Sequence, residues 1–167
     1  MAEFNLDDFM GSYGDLARSY LFYARITTNP VGWNRDFVYL VRSASLPTRT
    51  IEAMEVPWQG NLYKLASTST FAEMTIEFNV DIDSNVRQSL LDWSNLIHNP
   101  ETNAHGNPNL YMGRIELEHL NGEGSTISKF ILVKCWPSEV GEIALAYDSK
   151  EIANFSTTWQ YQYFIEG

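Results

Sequence analysis

Strict alternation of apolar and polar residues over positions 73–81 is the feature that most constrains the fold of this chain. The apolar positions are Met74, Ile76, Phe78 and Val80, and the polar positions are Glu73, Thr75, Glu77, Asn79 and Asp81. Because successive side chains of a strand point to opposite sides of a sheet, this pattern predicts a strand with one dry side and one wet side. The four apolar residues are therefore predicted to belong to the core.

The apolar period changes to that of a helix directly after this segment. The stripe has spacings of four, four, three and four and consists of Ile82, Val86, Leu90, Trp93 and Ile97. Such a stripe is typical of an amphipathic helix. Asp83 or Ser84 is placed to cap its first turn, and Pro100 ends it. We predict one α-helix near residues 85–98, with Val86, Leu90 and Trp93 in the core.

Most of the remaining chain is predicted to form short strands joined by hairpins. The segments are 20–27, 37–44, 51–56, 62–69, 113–120, 128–136, 142–147 and 154–164. In the last of these, Phe155, Trp159, Tyr161 and Tyr163 share one strand face, and Trp159 is predicted as core. The expected fold is mainly β (α+β), with two packed antiparallel sheets forming a sandwich or barrel beside the helix. We expect one domain over 1–167, with 1–19 as an N-terminal arm.

The turn of the predicted 51–69 hairpin carries an aromatic residue that a small core does not easily cover. Its residues are Pro57, Trp58, Gln59, Gly60 and Asn61. An aromatic side chain at an exposed tip is typical of a protein contact. These five positions are therefore candidates for contact with another subunit.

The net charge of the chain disfavours a nucleic-acid-binding protein. The chain carries 21 acidic and 11 basic residues, for a net charge of −10. Binding to a phosphate backbone needs the opposite sign, whereas an acidic surface lets DNA pass without adhering. Residues 1–10 lack the positive and apolar regions of a signal peptide, and no segment is long and apolar enough to span a membrane.

The sequence offers no catalytic motif and no recognised metal spacing, so we expect no enzyme activity, no cofactor and no metal site. The histidines are His98, His105 and His119. Glu116 and Glu118 share a strand face, and His119 points away from them. Cys135 lies in an apolar run and is predicted to be a small core side chain.

Three groups of residues together resemble the tail-tube proteins of contractile-tailed bacteriophages. The first is the strand 42–47 that ends in Leu-Pro, and the second is the acidic alternating strand 71–81 leading into the helix with Asp92 and Trp93. The third is the series Trp136-Pro137, Val140-Gly141-Glu142, Asp148-Ser149 and Ile152 followed by Phe155. The resemblance covers about residues 20–164, and the same fold serves type VI secretion tubes and other contractile injection systems.

The resemblance implies a structural virion protein whose hexameric rings stack into the channel for DNA ejection inside a contractile sheath. It implies sheath, baseplate and tail-terminator proteins as partners, and DNA that passes without specific binding. The subunit would not insert into a membrane. It would be made in the cytoplasm of the bacterial host and reside in the virion tail. The polar positions Glu73, Thr75, Glu77, Asn79 and Asp81 are then candidates to face the lumen.

Two alternatives stay open on the sequence. One is a tube or initiator subunit of a contractile injection system that carries protein effectors. The other belongs to a different class, an aromatic-rich β-sandwich that binds carbohydrate through exposed, coplanar rings.

Overall fold

A computed structural model describes residues 17–32 and 37–167 of the chain. Its helices are α1 (Phe37–Leu40), α2 (Asn85–Ile97) and α3 (Pro108–Tyr111). Its strands are β1 (Phe22–Thr28), β2 (Val41–Ala44), β3 (Arg49–Trp58), β4 (Asn61–Phe71), β5 (Met74–Asn79), β6 (His98–Asn99), β7 (Ala104–His105), β8 (Gly113–Leu120), β9 (Thr126–Val140), β10 (Asn154–Gln160) and β11 (Tyr163–Glu166). Residues 1–16 of the predicted N-terminal arm lie outside the described residues.

The main sheet has seven antiparallel strands in the order β1-β8-β9-β10-β5-β2, with β11 also paired to β9. The long strand β9 joins its two halves. The first part of β9 pairs with β8 and β11, and its last part pairs with β10. Lys134 lies between these parts with a φ of 54°, where the register against β8 shifts. A non-glycine residue in this left-handed conformation marks a β-bulge, which bends the strand.

One core cluster joins both halves of this sheet to the helix α2. The first half contributes Ala24, Ile115, Leu117, Leu132 and Cys135, and the second contributes Met74, Ile76, Phe78, Phe155 and Trp159. The helix adds Val86, Leu90 and Trp93, and Val80 packs against the cluster while partly exposed. The predicted mainly β architecture is confirmed. Among the described strands the sheet is one continuous, open surface that ends at β1 and β2, and it does not close into a barrel.

The first turn of α2 is capped by Asp81, and neither Asp83 nor Ser84, the two predicted capping residues, donates or accepts a side-chain capping hydrogen bond there. Ser84 occupies the N-cap position in a left-handed conformation, and its side chain makes no capping hydrogen bond. Instead, the backbone N–H of Asn85 donates to Asp81 Oδ2 over 3.1 Å. At the other end, the backbone N–H of His98 donates to the carbonyl of Ser94.

Trp93 anchors α2 in the core. Its ring lies edge-on to Trp159, with centroids 5.3 Å apart and an interplanar angle of 73°. Its indole N–H donates to the carbonyl oxygen of Tyr111 over 2.6 Å. The polar atom of this buried side chain is therefore satisfied within α3.

Three local predictions were wrong. Residues 37–40 form a helical turn that buries Phe37 against Phe78, and the strand begins only at Val41. Residues 142–147 form no strand, because their alternating apolar side chains have no described strand beside them. Tyr163 does not share a face with Trp159, because the strand is interrupted between β10 and β11. Tyr163 pairs with Val133, and both side chains point to the side of the sheet opposite Trp159.

Candidate functional site

The side of β5 and β10 that turns away from the core is covered by polar side chains. Burial alternates along both strands, so that every second residue points into the core and the next points outward. Register places Ser43 beside Glu77 and Glu139 beside Thr158 on the outward side. We call this surface the polar face, and its members are Ser43, Glu73, Thr75, Glu77, Asn79, Glu139, Ser156, Thr158 and Gln160.

Hydrogen bonds hold the carboxylates of the polar face in place. Ser43 Oγ donates to Glu77 Oε2 over 3.0 Å. The side-chain amide of Gln160 donates to Glu73 Oε1. The members of this face include carboxylates, hydroxyls and amides but neither lysine nor arginine. Such a surface is well hydrated and repels phosphate groups.

The structure brings four of the five predicted lumen candidates together on this face. Glu73 and Thr75 are exposed, and Glu77 and Asn79 are half-buried. The fifth, Asp81, follows the end of β5 and accepts the hydrogen bond from the first turn of α2. Its carboxylate therefore has a structural role at the start of the helix.

The strands β3 and β4 form a long hairpin with a two-residue turn. Gln59 and Gly60 have φ angles of 49° and 81°, the positive values that such a turn needs at both central positions. Every residue of β3 is exposed, as are residues 61–68 of β4. This extended pair of strands thus contributes little to the core of the chain.

Register divides the hairpin into two unlike faces. Val56 pairs with Tyr63, so these side chains share a side, whereas Glu55 and Lys64 pair on the other side with their charged atoms 3.9 Å apart. The first side is apolar and we call it the hairpin face. Its members are Met54, Val56, Trp58, Tyr63 and Leu65.

The predicted contact residues all lie at the tip of this hairpin and are all exposed: Pro57, Trp58, Gln59, Gly60 and Asn61. Trp58 is 62% exposed. Sequence reasoning missed the four other members of the hairpin face. Cross-strand register counted from the turn would have found them, because residues paired across an antiparallel hairpin point to the same side.

A second exposed apolar segment lies in the connection between β9 and β10. Leu145, Tyr147 and Ile152 are all strongly exposed there. Soluble monomers rarely expose large contiguous apolar patches, and such surfaces mark contact sites. This connection therefore presents an exposed apolar segment in addition to the hairpin face.

Lys129 and Cys135, which lie outside these surfaces, have structural roles. Lys129 Nζ lies 3.0 Å from Glu116 and 3.1 Å from Glu118, and hydrogen bonds to these two carboxylates raise the pKa of Lys129. Burial raises the pKa of the Cys135 thiol to about 12. Within residues 17–32 and 37–167, no group of three or more His, Cys, Asp or Glu side chains is arranged to hold a metal ion.

No helix in the described part of the chain combines the length and the apolar character needed to cross a bilayer.

Comparison with known sequences identifies one protein family over most of the chain. The family model described as phage tail tube protein matches residues 15–167. The tail tube protein of Enterobacteria phage T4 is 28% identical over 154 residues, which cover 90% of this chain and 92% of that relative. The tail tube protein of Serratia phage KSP90 is 26% identical over 112 residues, which cover 66% of this chain and 63% of that protein.

Solved structures share the fold at much lower sequence identity. The tube-terminating cap of the anti-feeding prophage has a TM-score of 0.70 at 17% identity and covers 92% of both chains. The sheath–tube complex of an extracellular contractile injection system contains a chain with a TM-score of 0.69 at 17% identity. That match covers 98% of this chain and 97% of the other.

Proposed function

This chain belongs to the phage tail tube protein family, and from that premise we propose that it forms hexameric rings that stack into the DNA channel of a contractile tail. The tube would lie inside the sheath and act as a passive wall. Its function would then depend on surfaces that associate with neighbouring copies of the chain and on a lumen that does not bind DNA.

The observation that carries this proposal is the exposed apolar hairpin. Trp58, Tyr63 and Leu65 are each more than half exposed in one subunit. Burying such side chains stabilises an association by roughly 1.5–3 kcal/mol each, less the cost of ordering them. A second copy of the chain would supply the cover, as in any closed ring whose interfaces repeat around an axis.

The polar face supports a lumen that water and DNA share. The phosphate groups of passing DNA would meet carboxylates and hydroxyls on this face, and none of its members is a cation. Counterion release drives DNA binding and requires lysine or arginine. A face without them lets DNA slide past.

Partners and location follow from the same proposal. Chains of the same fold occur in a sheath–tube complex, in a terminator complex and in a baseplate of contractile injection systems. We infer corresponding contacts with sheath, terminator and baseplate proteins for this chain. The subunit would be made in the host cytoplasm, end up in the virion tail and catalyse no reaction.

Negative-stain microscopy of the purified full-length protein tests the proposal. We expect rings with six-fold symmetry or long tubes with a central channel. A protein that stays monomeric at every concentration and ionic strength would contradict it. Glycan binding by that monomer would favour the carbohydrate-binding alternative, although Phe155 and Trp159, two of the rings that class would need exposed, are buried.

The cargo distinguishes a DNA-conducting tail tube from the remaining alternative, a tube that carries protein effectors. A tube that carries protein effectors would retain polypeptides in its lumen when isolated from producing cells. A tube of DNA-filled virions would be recovered attached to heads, with DNA entering the channel on ejection. Mass spectrometry of purified particles separates the two.

A further inference from the structure

Two histidines face each other at the end of α2. His98 and His105 form a residue pair of the short antiparallel ladder β6–β7. Their imidazole centroids are 4.5 Å apart, and their ring planes are inclined by 41°. Seven positions separate them in sequence, so no local ligand spacing reveals the pair.

The backbone on both sides of the pair is fixed to the helix end. The N–H of His98 donates to the carbonyl of Ser94, and the N–H of Gly106 donates to the carbonyl of Ile97 over 2.9 Å. A Cβ at Gly106 would lie 2.0 Å from the carbonyl oxygen of Leu96, so the backbone directly after β7 lies against the end of the helix. The two imidazoles are therefore held as neighbours by the backbone, and only their χ angles are free.

Both imidazoles have nitrogen atoms available for a ligand. His98 and His105 are exposed, and within the described residues neither side chain forms a hydrogen bond or an ion pair. Neutral imidazole nitrogen is a ligand that Zn²⁺, Cu²⁺ and Ni²⁺ accept readily. Two such ligands on a rigid ladder lose little conformational freedom when an ion joins them.

The location favours a cation. His98 is the C-cap residue of the thirteen-residue helix α2. Unpaired carbonyl groups give the C-terminal end of a helix a partial negative charge, which stabilises a nearby cation.

We propose that His98 and His105 together chelate one divalent transition-metal ion per subunit, with water completing its coordination. The ion belongs to the class that prefers imidazole, namely Cu²⁺, Ni²⁺ and Zn²⁺. Mg²⁺ is excluded because it prefers oxygen ligands. This site is separate from the polar face and from the hairpin face, and it does not depend on the function proposed for them.

Calorimetric titration of the tag-free, full-length protein with CuCl₂, NiCl₂ and ZnCl₂ tests the site. We expect one ion per chain, with Cu²⁺ bound most tightly, as the general order of divalent affinities requires. MgCl₂ should give no signal. Acid should release the ion, because a ligating imidazole must be deprotonated.

The variants His98→Asn and His105→Asn should each lose the calorimetric signal. His119→Asn is the matched control, because His119 is the third histidine and its Nε2 lies 2.9 Å from the carbonyl oxygen of Arg18, away from the pair. Its titration should match that of the original protein. Thermal unfolding without metal should be nearly the same for the original protein and the two ligand variants, which shows that they fold.

Two results would overturn the proposal. One is the absence of any ion bound at one per chain. The other is binding that survives in His98→Asn and His105→Asn, or that is lost equally in His119→Asn.

Discussion

At the scale of single residues, two tryptophans occupy opposite environments. Trp93 is fully buried against Trp159, whereas Trp58 is 62% exposed on the hairpin face. Trp93→Ala should lower the free energy of unfolding by roughly 3–5 kcal/mol, the cost of deleting a large core aromatic. Trp58→Ala should change it by less than about 1 kcal/mol and should abolish tubes.

Urea denaturation of the unassembled subunit and microscopy of the same samples measure both effects. Normal tubes from Trp58→Ala would show that this side chain does not carry the association. A small loss of stability in Trp93→Ala would contradict its place in the core.

The buried hydroxyl of Thr157 links two strands. Its Oγ1 donates to the carbonyl oxygen of Ile76 over 3.0 Å and accepts from Trp159 Nε1 over 2.8 Å. Thr157→Val keeps the volume but leaves the buried indole N–H without a partner, which should cost about 1–3 kcal/mol.

Thr158→Val is the matched control, since Thr158 follows in the same strand but points to the outward side. It should change the free energy of unfolding by about 0.5 kcal/mol or less. Equal losses in both variants would show that the hydrogen bonds of Thr157 do not account for the effect. Denaturant titrations of the two variants make the comparison.

The Cys135 thiol gives the protein a pH-dependent contribution to stability. Burial raises its pKa from 9.0 to about 12. Above pH 9 the unfolded chain releases the thiol proton while the folded chain keeps it, so the unfolded state binds fewer protons and stability falls. This contribution is complete below pH 9 and is lost as the pH rises toward 12.

The variant Cys135→Ala should show a shallower fall in stability between pH 9 and 12 than the original protein. Denaturant midpoints at a series of pH values measure this. A thiol reagent should also react slowly with the folded protein at pH 8 and rapidly after unfolding. Parallel pH profiles for the two proteins would contradict the buried state of the thiol.

At the scale of elements, the hairpin β3–β4 should be dispensable for folding and necessary for assembly. Thr50 pairs with Thr70, so the ends of a shortened hairpin already lie side by side. Replacing residues 51–69 with the two-residue turn Asn-Gly should leave the core intact, because Phe71 still packs against Tyr161 and Phe164.

Sedimentation velocity should show this shortened protein as a folded species that forms no tubes. Circular dichroism supplies the control for folding. Tubes from the shortened protein would place the stacking contacts elsewhere, and the exposed segment with Leu145 and Tyr147 would be the next to test.

Sequence periodicity identified the elements that bury one face and expose the other. The apolar residues of the helix α2 recur at helical spacing and those of the strand β5 at every second position for this reason. Residues 37–40 were wrongly predicted as a strand, because a single helical turn of strand-forming residues is too short to show a helical period. The apolar alternation around Leu145 also resembled a strand, although residues 142–147 pair with no described strand and Leu145 and Tyr147 are exposed.

The candidate site was only partly visible in the sequence. Alternation found the outward side of β5, but the contributions of Ser43, Glu139 and β10 depend on register between strands distant in sequence. Asp81 continued the polar alternation and was therefore counted with the lumen candidates, although its carboxylate accepts the first backbone N–H of α2. The pairing of His98 with His105 also appears only once the ladder β6–β7 is in place.

At the scale of the whole molecule, the acidic polar face should determine how DNA passes. Changing Glu73, Glu77 and Glu139 to lysine should leave a folded subunit whose tubes retain DNA. Retention should weaken steeply with added salt, because lysine contacts to phosphate release counterions when they form. Asp81 is left unchanged because it supports α2.

A second triple variant with Glu101, Glu123 and Glu151 changed to lysine is the control, since it alters the net charge equally at exposed loop positions. Cosedimentation of DNA fragments with preformed tubes compares the two. Equal retention by both would mean that net charge, and not the polar face, governs adhesion.

The pairing of β1 with β8 has a kinetic consequence. Phe22 lies opposite His119, about a hundred residues later in the chain, and closing so large a loop costs entropy before its contacts form. Contacts this distant slow folding, whereas the neighbouring strands β3 and β4 can zip together within microseconds. During synthesis the apolar hairpin should thus form before β8, the partner of β1, has left the ribosome. Nascent chains should be most prone to premature association in that interval.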